Sequence, residues 1–346
     1  MREINRKSNY NSTLVNLCIL QKKKQQYSFL YVYSIRSMSF KHEDVEKIYN
    51  KVKKLIQRGK NADYIPDLKK GNPKIYAISV CNIKGEIMNF GDYQTEVGIE
   101  SASKVFTLAL ALNLYSIKKL ISQIGNTKEE REFNSIRDVI HIKNHTINSF
   151  VNAGAMATTS LLYDKSKSVE DNEKTTNKLI LENMEDFAGR KLRVNEHLYL
   201  SEYKTSQHNR QLIDKLVSYD RFYGDPQTVL KTYTKQCSVM VTSKDLAVMA
   251  ATLANNGTNP ITHKKLINEE KANYIIDHMS QHGLYNESPI WWEKTYFPAK
   301  SGVGGVIMIV IPGIMGIGIV SPPLNKYGNS YKGVETGKLF ANIPIY

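Results

Sequence analysis

Residues 100–116 read ESASKVFTLALALNLYS, and the fold turns on how this stretch is read. Val105, Phe106, Leu108, Leu112, Tyr115 and Leu120 recur at helical spacing with alanines between them, which predicts a largely buried helix. Ser101 and Lys104 stand three residues apart at its start, on one face of the first turn. Two interpretations fit this stretch alone. One is a nucleophile beside its base; the other is a serine that opens a helix whose lysine is solvated.

The rest of the chain narrows the choice. Its 346 residues suffice for a sizeable core, and a content of 41% hydrophobic and 23% charged residues is that of a globular protein. The longest apolar run, GVIMIVIPGIMGIGIVSPP (305–323), is interrupted by Pro312, Gly313, Gly316 and Gly318. It reads as two buried strands and a turn, so no membrane span is expected. The net charge of +14 is uneven, because seven basic residues and one acid lie within positions 1–38. Elsewhere lysines are scattered in pairs such as Lys69–Lys70 and Lys264–Lys265, a solvated surface and not a nucleic-acid footprint. Cys18, Cys81 and Cys237 form no disulfide framework and no C-x-x-C pair, which fits a reducing, cytoplasmic setting.

Residues 1–38 are rich in asparagine and lysine and contain two short apolar patches, LVNLCIL and YSFLYVYSI. Basic residues surround the patches and no small-residue cleavage site follows, unlike a secretory signal. This segment is expected to be a weakly structured extension, with the folded part beginning near Met38 at the amphipathic helix SFKHEDVEKIYNKVKKLIQRGK.

Beyond it, IYAISVCNI and EIMNFGDY read as strands joined by a Lys84–Gly85 hairpin turn. Helical patterns then run to about residue 256, several opening on Asn, Asp or Ser, and strands return after FPAKSGVGG (297–305). Strands at both ends with helices between predict an α+β protein: an antiparallel sheet flanked by helices, with a helical domain inserted. The expected division is a sheet domain from 39–105 and 257–346 and a helical domain from 106–256. A ligand site is expected between them, where Ser101 and Lys104 fall.

AKSGVGG (299–305) places a lysine, a hydroxyl and a glycine at a strand start. The order is wrong for a phosphate loop. It matches the site edge of serine acyl-transfer enzymes of the penicillin-recognising type, and equally a plain glycine-rich strand start. His141–His145 and His278–His282 have the spacing of two ligands on one helix face, but no acidic third ligand accompanies either pair, and no metal is expected.

Several segments occur together and in order: ADYIPDL, SVCNIKGEI, SASKVFTLALAL, VNAGAMATTSLL, LYLSE, QCSVMVTSKDLAVMAATLANNGTNP, FPAKSGVGG and SPPLNKYGNSYKG. From about residue 42 to the end the chain resembles the serine-dependent glutaminases, of the β-lactamase/transpeptidase-like fold. The resemblance implies hydrolysis of L-glutamine to L-glutamate and ammonia without a cofactor, by a homodimer or homotetramer. It implies Ser101 as nucleophile, Lys104 as its base and Tyr285 as a proton relay. Tyr64, Asn152, Glu202, Asn209, Tyr233, Tyr285 and Val303 are implied in substrate binding, and the Ser101 and Val303 N–H groups in holding the oxyanion.

The residue types suit that chemistry. A primary amide is a poor electrophile, and attack by serine divides the barrier into acylation and deacylation. A lysine accepts the serine proton only where desolvation lowers its pKa. Glu202 suits an α-ammonium group, while asparagines and tyrosines can donate to an α-carboxylate without burying a further charge. The chain departs from the family pattern at four places. Glu100 stands for glutamine; Asn148, Ser149 and Phe150 stand for N-P-M; SQHN (206–209) stands for G-D-R-N; Val306 replaces a glycine. Rate, pH optimum and affinity therefore do not carry over. Two rival functions remain: another serine acyl-transfer enzyme of the β-lactamase or D,D-peptidase type, which the lack of an S-D-N element opposes, or a non-catalytic ligand-binding member of the fold.

Overall fold

A computed structural model describes residues 40–128, 134–142 and 145–343; the expected N-terminal extension lies outside them. The two anticipated strands form at Ala77–Asn82 (β1) and Ile87–Gly91 (β2), paired antiparallel from Ala77↔Gly91 to Cys81↔Ile87. Gly85, at φ 87°, supplies the left-handed residue of the turn between them. The short strands β3 (Val97–Gly98), β4 (Arg193–Val194) and β5 (Val239–Val241) make a second, small sheet in the order β3-β5-β4. Ala299–Gly302 (β6), Val306–Ile311 (β7) and Met315–Val320 (β8) complete the main sheet, whose order is β2-β1-β8-β7-β6 with every pair antiparallel. The apolar run of residues 305–323 is thus the β7–β8 hairpin, all of whose strand residues are buried.

The sheet is covered on both faces. The Ser243–Ala254 helix lies against β8 and β1, anchored where Ser79 and Ser243 share a 2.8 Å hydrogen bond. Gly318 makes this approach possible, since a Cβ there would collide with the Ser243 carbonyl and the Ala247 amide. Thr242 and Asp245 close a capping box at the start of this helix, and Arg190 grips the same carboxylate at 2.6 and 2.5 Å. The first and last described helices, His42–Lys53 and Tyr331–Phe340, pack together with the sheet. Phe40 meets Phe340 at 5.0 Å between ring centroids, and the Tyr76 hydroxyl lies 2.7 Å from Thr336 Oγ1.

The helices Ile117–Ile124, Asn152–Ser160, Val169–Ala188 and Glu269–His282 pack against Lys104–Leu114, whose first nine residues, Lys104 through Leu112, are all buried. One apolar core runs from Phe106 and Leu112 through Phe150, Met184, Phe187 and Leu216 to Val306 and Val320 of the sheet. One expectation needs correction. The helix that was to carry Leu120 ends at Leu114; Tyr115 is extended, and Ser116 caps a new helix, Ile117–Ile124, by accepting from the Lys119 amide. Apolar spacing continues across the break because Leu120 and Ile124 of the new helix enter the same core as Leu108 and Leu112. Among the described residues, no helix is long and apolar enough to cross a membrane.

Candidate active site

Ser101 does not begin the α-helix itself. It lies in a 3-10 turn, Glu100–Ser103, that runs directly into Lys104–Leu114. In a 3-10 turn side chains three apart eclipse, so Ser101 and Lys104 stack along one edge. Glu100 enters the turn at φ 51°, a left-handed conformation uncommon for a residue with a Cβ.

Ser101 opens into a cleft of about 180 Å³, lined also by Tyr64, Glu100, Asn152, Glu202 and Asn209. Tyr233, Cys237, Tyr285 and Val303 line the same cleft, so every expected substrate-binding residue faces one space. Each arrives on a separate element. Asn152 begins the Asn152–Ser160 helix, and Glu202 lies on Glu196–Lys204, which Asn195 caps through the amides of His197 and Leu198. Asn209 lies on Gln207–Ser218, Tyr233 on Pro226–Cys237 and Tyr285 on a second 3-10 turn, again at positive φ. Tyr64 comes from the segment whose Asp67 amide donates to Ser201 Oγ at 3.2 Å, one residue from Glu202.

Lys104 is buried behind this lining. Its Nζ donates to Asn152 Oδ1 at 2.7 Å, to the Phe150 carbonyl at 2.9 Å and to the Tyr285 hydroxyl at 3.2 Å. Asn152 links further, donating to Asn209 Oδ1 at 3.1 Å and accepting from the Tyr233 hydroxyl at 3.2 Å. Burial pushes the Lys104 ammonium down to about 7, against the pull of Cys237, Glu202 and Glu100. A second lysine, Lys300 of β6, is fully buried with Nζ 4.2 Å above the Tyr285 ring. The sequence allowed it as the lysine of a serine acyl-transfer site edge or as part of a plain glycine-rich strand start; it lies over the ring of a residue that lines the cleft.

Val303 follows β6 and is brought to the nucleophile by backbone contact. A Cβ on Gly302 would strike the Ile99 carbonyl, and one on Gly304 the Gly98 carbonyl, so 302–304 and 98–102 lie main chain against main chain. Ser101, in the first turn of a helix, has an N–H without an intrahelical acceptor. The backbone around Val303 is thus held close to the turn that carries Ser101.

The cleft has an acidic corner that the sequence did not reveal. Glu100 is 2% exposed, and its carboxyl is held well above the usual range by burial and by Glu202. Burial likewise pushes Glu202 up to about 8, while Lys104 opposes the shift. Ligand-type atoms of Glu100, Glu202 and Cys237 lie within 4.8 Å of one another, the one such potential metal-ligand group among the described residues. The histidine pairs form none. His278 and His282 pack instead in the core with ring centroids 4.7 Å apart, and His278 meets Phe150 edge-on at 4.6 Å.

Known proteins confirm the family expectation. The glutaminase family model matches residues 59–343. A glutaminase of Colwellia psychrerythraea is 42% identical over 290 residues, covering 82% of this chain and 91% of that protein. The chain belongs to the glutaminase family. A glutaminase of Bacteroides thetaiotaomicron is 39% identical, with 84% of this chain and 88% of that protein covered. Among solved structures, the probable glutaminase ybaS superposes with a TM-score of 0.83 at 35% identity, covering 87% of this chain and 95% of its own. A probable glutaminase from Bacillus subtilis, complexed with 6-diazo-5-oxo-L-norleucine, superposes with a TM-score of 0.74 at 28% identity, with 87% and 92% covered. The sheet and helices are therefore those of the β-lactamase-like glutaminase fold.

Proposed function

We propose that the cleft hydrolyses L-glutamine to L-glutamate and ammonia through an acyl-enzyme on Ser101. The observation that carries this reading is the state of Lys104: a buried lysine, pushed down to about 7, three residues from a serine that opens into the cleft. Ser101 Oγ attacks the side-chain amide carbon as its proton passes to neutral Lys104. The oxyanion is held by the N–H groups of Ser101 and Val303. Lys104 returns the proton through Tyr285, whose hydroxyl lies 3.2 Å from its Nζ, and the C–N bond breaks to release ammonia. Water then attacks the ester, its proton passing to the same base, and frees glutamate and the serine hydroxyl.

Substrate is held at its other end. Glu202 takes the α-ammonium group, and Tyr64, Asn152, Asn209 and Tyr233 surround the α-carboxylate with neutral donors. The protein works as a cytoplasmic homodimer or homotetramer. Buried free thiols at Cys81 and Cys237 fit a reducing setting, and light scattering on the purified protein reads the assembly.

Ammonia release from L-glutamine, measured against Ser101→Ala, tests the function and separates it from both rivals. Covalent labelling tests the nucleophile. The diazo ketone 6-diazo-5-oxo-L-norleucine is expected to add mass to the Ser101 peptide in the wild type only. Turnover with labelling elsewhere would leave a glutaminase with a different nucleophile.

A further inference from the structure

We propose that Glu100, Glu202 and Cys237 form a binding site for a thiophilic divalent cation of the zinc type, which inhibits the enzyme by occupying the corner meant for the substrate's α-ammonium group. The three residues come from the Glu100–Ser103 turn and the helices Glu196–Lys204 and Pro226–Cys237, and their ligand atoms already lie within 4.8 Å of one another. A tetrahedral zinc ion with ligands at about 2.0–2.3 Å needs separations of roughly 3.3–3.8 Å, so side-chain adjustments of about 1 Å complete the set.

The second observation is the state of the carboxylates. Glu100 is 2% exposed and aimed into the cleft, yet its Oε1 has no hydrogen-bond partner, nor has Oε2 of Glu202. Buried polar atoms are ordinarily satisfied, and two adjoining buried carboxylates repel each other. A cation relieves both defects. The α-ammonium of glutamine is one such cation, but it supplies no bond to sulfur. The thiol of Cys237 in the same corner selects a soft metal over magnesium or calcium. Glu100, where the family pattern has glutamine, provides the second carboxylate. Lys104, the nearby positive charge, directs its Nζ to Phe150, Asn152 and Tyr285, leaving the corner open from the cleft. On binding, the Cys237 thiol and any protonated carboxyl lose their protons to solvent, and water from the cleft fills the fourth position.

Competition with substrate rests on the assignment of Glu202 to the α-ammonium group; metal binding itself does not. Cadmium is the probe, read by the ultraviolet thiolate-to-cadmium charge-transfer band of the purified full-length protein under reducing conditions. Wild type is expected to bind with a band that is absent in Cys237→Ser, and Glu100→Gln is expected to bind at least about tenfold more weakly. A band of unchanged affinity in both Cys237→Ser and Cys237→Ala places the metal on another thiol and overturns the site, as does unchanged affinity in Glu100→Gln. In the wild type, zinc is expected to raise KM for glutamine while leaving kcat unchanged, reversibly with a chelator. A fall in kcat at constant KM, with the cadmium band intact, overturns the competition and with it the role given to Glu202.

Discussion

Lys104 Nζ donates to Asn152 Oδ1 at 2.7 Å, and the same oxygen accepts from the Tyr233 hydroxyl at 3.2 Å. One amide thus holds the proposed base and a wall of the substrate cleft together. Asn152→Ala removes both tethers. Its kcat is expected to fall and its KM to rise, each by roughly ten- to a hundredfold. A change confined to KM would show that Asn152 binds substrate without positioning Lys104.

Ser101→Ala and Lys104→Ala are each expected to lower kcat by several orders of magnitude, and the double variant little further, because the pair acts as a unit. Additive losses, measured by steady-state ammonia release, would mean that the lysine does not serve the serine.

The pH profile follows from two groups. A base must be neutral, and Lys104 sits at about 7, so kcat should decline as pH falls through that value. Glu202, at about 8 before substrate arrives, must be ionised to take an ammonium group. It adds a second rise near pH 8 to kcat/KM but not to kcat, since the bound ammonium keeps it ionised. Glu100→Gln is expected to shift the Lys104 limb to lower pH, because the carboxylate favours the charged lysine. Glu100 is buried, so solvent screening cannot account for superimposable curves; these would mean that it stays protonated throughout.

Glutaramic acid, which is glutamine without its α-amino group, is expected to have a kcat/KM at least about a hundredfold lower than glutamine, because it leaves Glu202 unpaired. The ratio should collapse in Glu202→Gln. Equal discrimination by the variant would assign ammonium recognition to another group.

His278 is fully buried, without a hydrogen-bond partner on either ring nitrogen, and burial holds its pKa well below 6.5. The unfolded chain therefore takes up a proton that the folded chain refuses. Stability is unaffected above about pH 6.5 and falls as pH drops below it. His278→Phe should flatten this slope in urea titrations between about pH 7 and 5. An unchanged slope would place the acid sensitivity elsewhere.

The sequence revealed the repeating parts of this molecule and the residues around Ser101, and it failed where structure depends on contact alone. IYAISVCNI and EIMNFGDY were legible as strands because apolar residues and a glycine turn specify a hairpin locally. Helix starts at Asn195 and Asn268 were legible because their side chains bond amides two or three residues on. The break at Tyr115–Ser116 was hidden by apolar spacing that runs across it. The small β3-β5-β4 sheet was hidden because strands of two or three residues have no measurable period. All nine expected site residues lie at one cleft, with Lys104 just behind its lining. The Glu100–Glu202–Cys237 corner was not legible, since no spacing relates three residues that meet only through tertiary packing. Nor was the approach of Lys300 to the Tyr285 ring.

The main sheet takes β1 and β2 from early in the chain and β6, β7 and β8 from near its end. During synthesis Ser101 and Lys104 leave the ribosome some two hundred residues ahead of Val303, the proposed second donor to the oxyanion. A nascent chain therefore carries its nucleophile for most of translation with no wall to work against, and β1 and β2 wait as an unfinished sheet edge. On the proposed mechanism, a chain stopped before β6 is expected to be inert and to expose the β1 edge that β8 covers in the finished sheet, which ammonia release and aggregation of such a truncated protein would check.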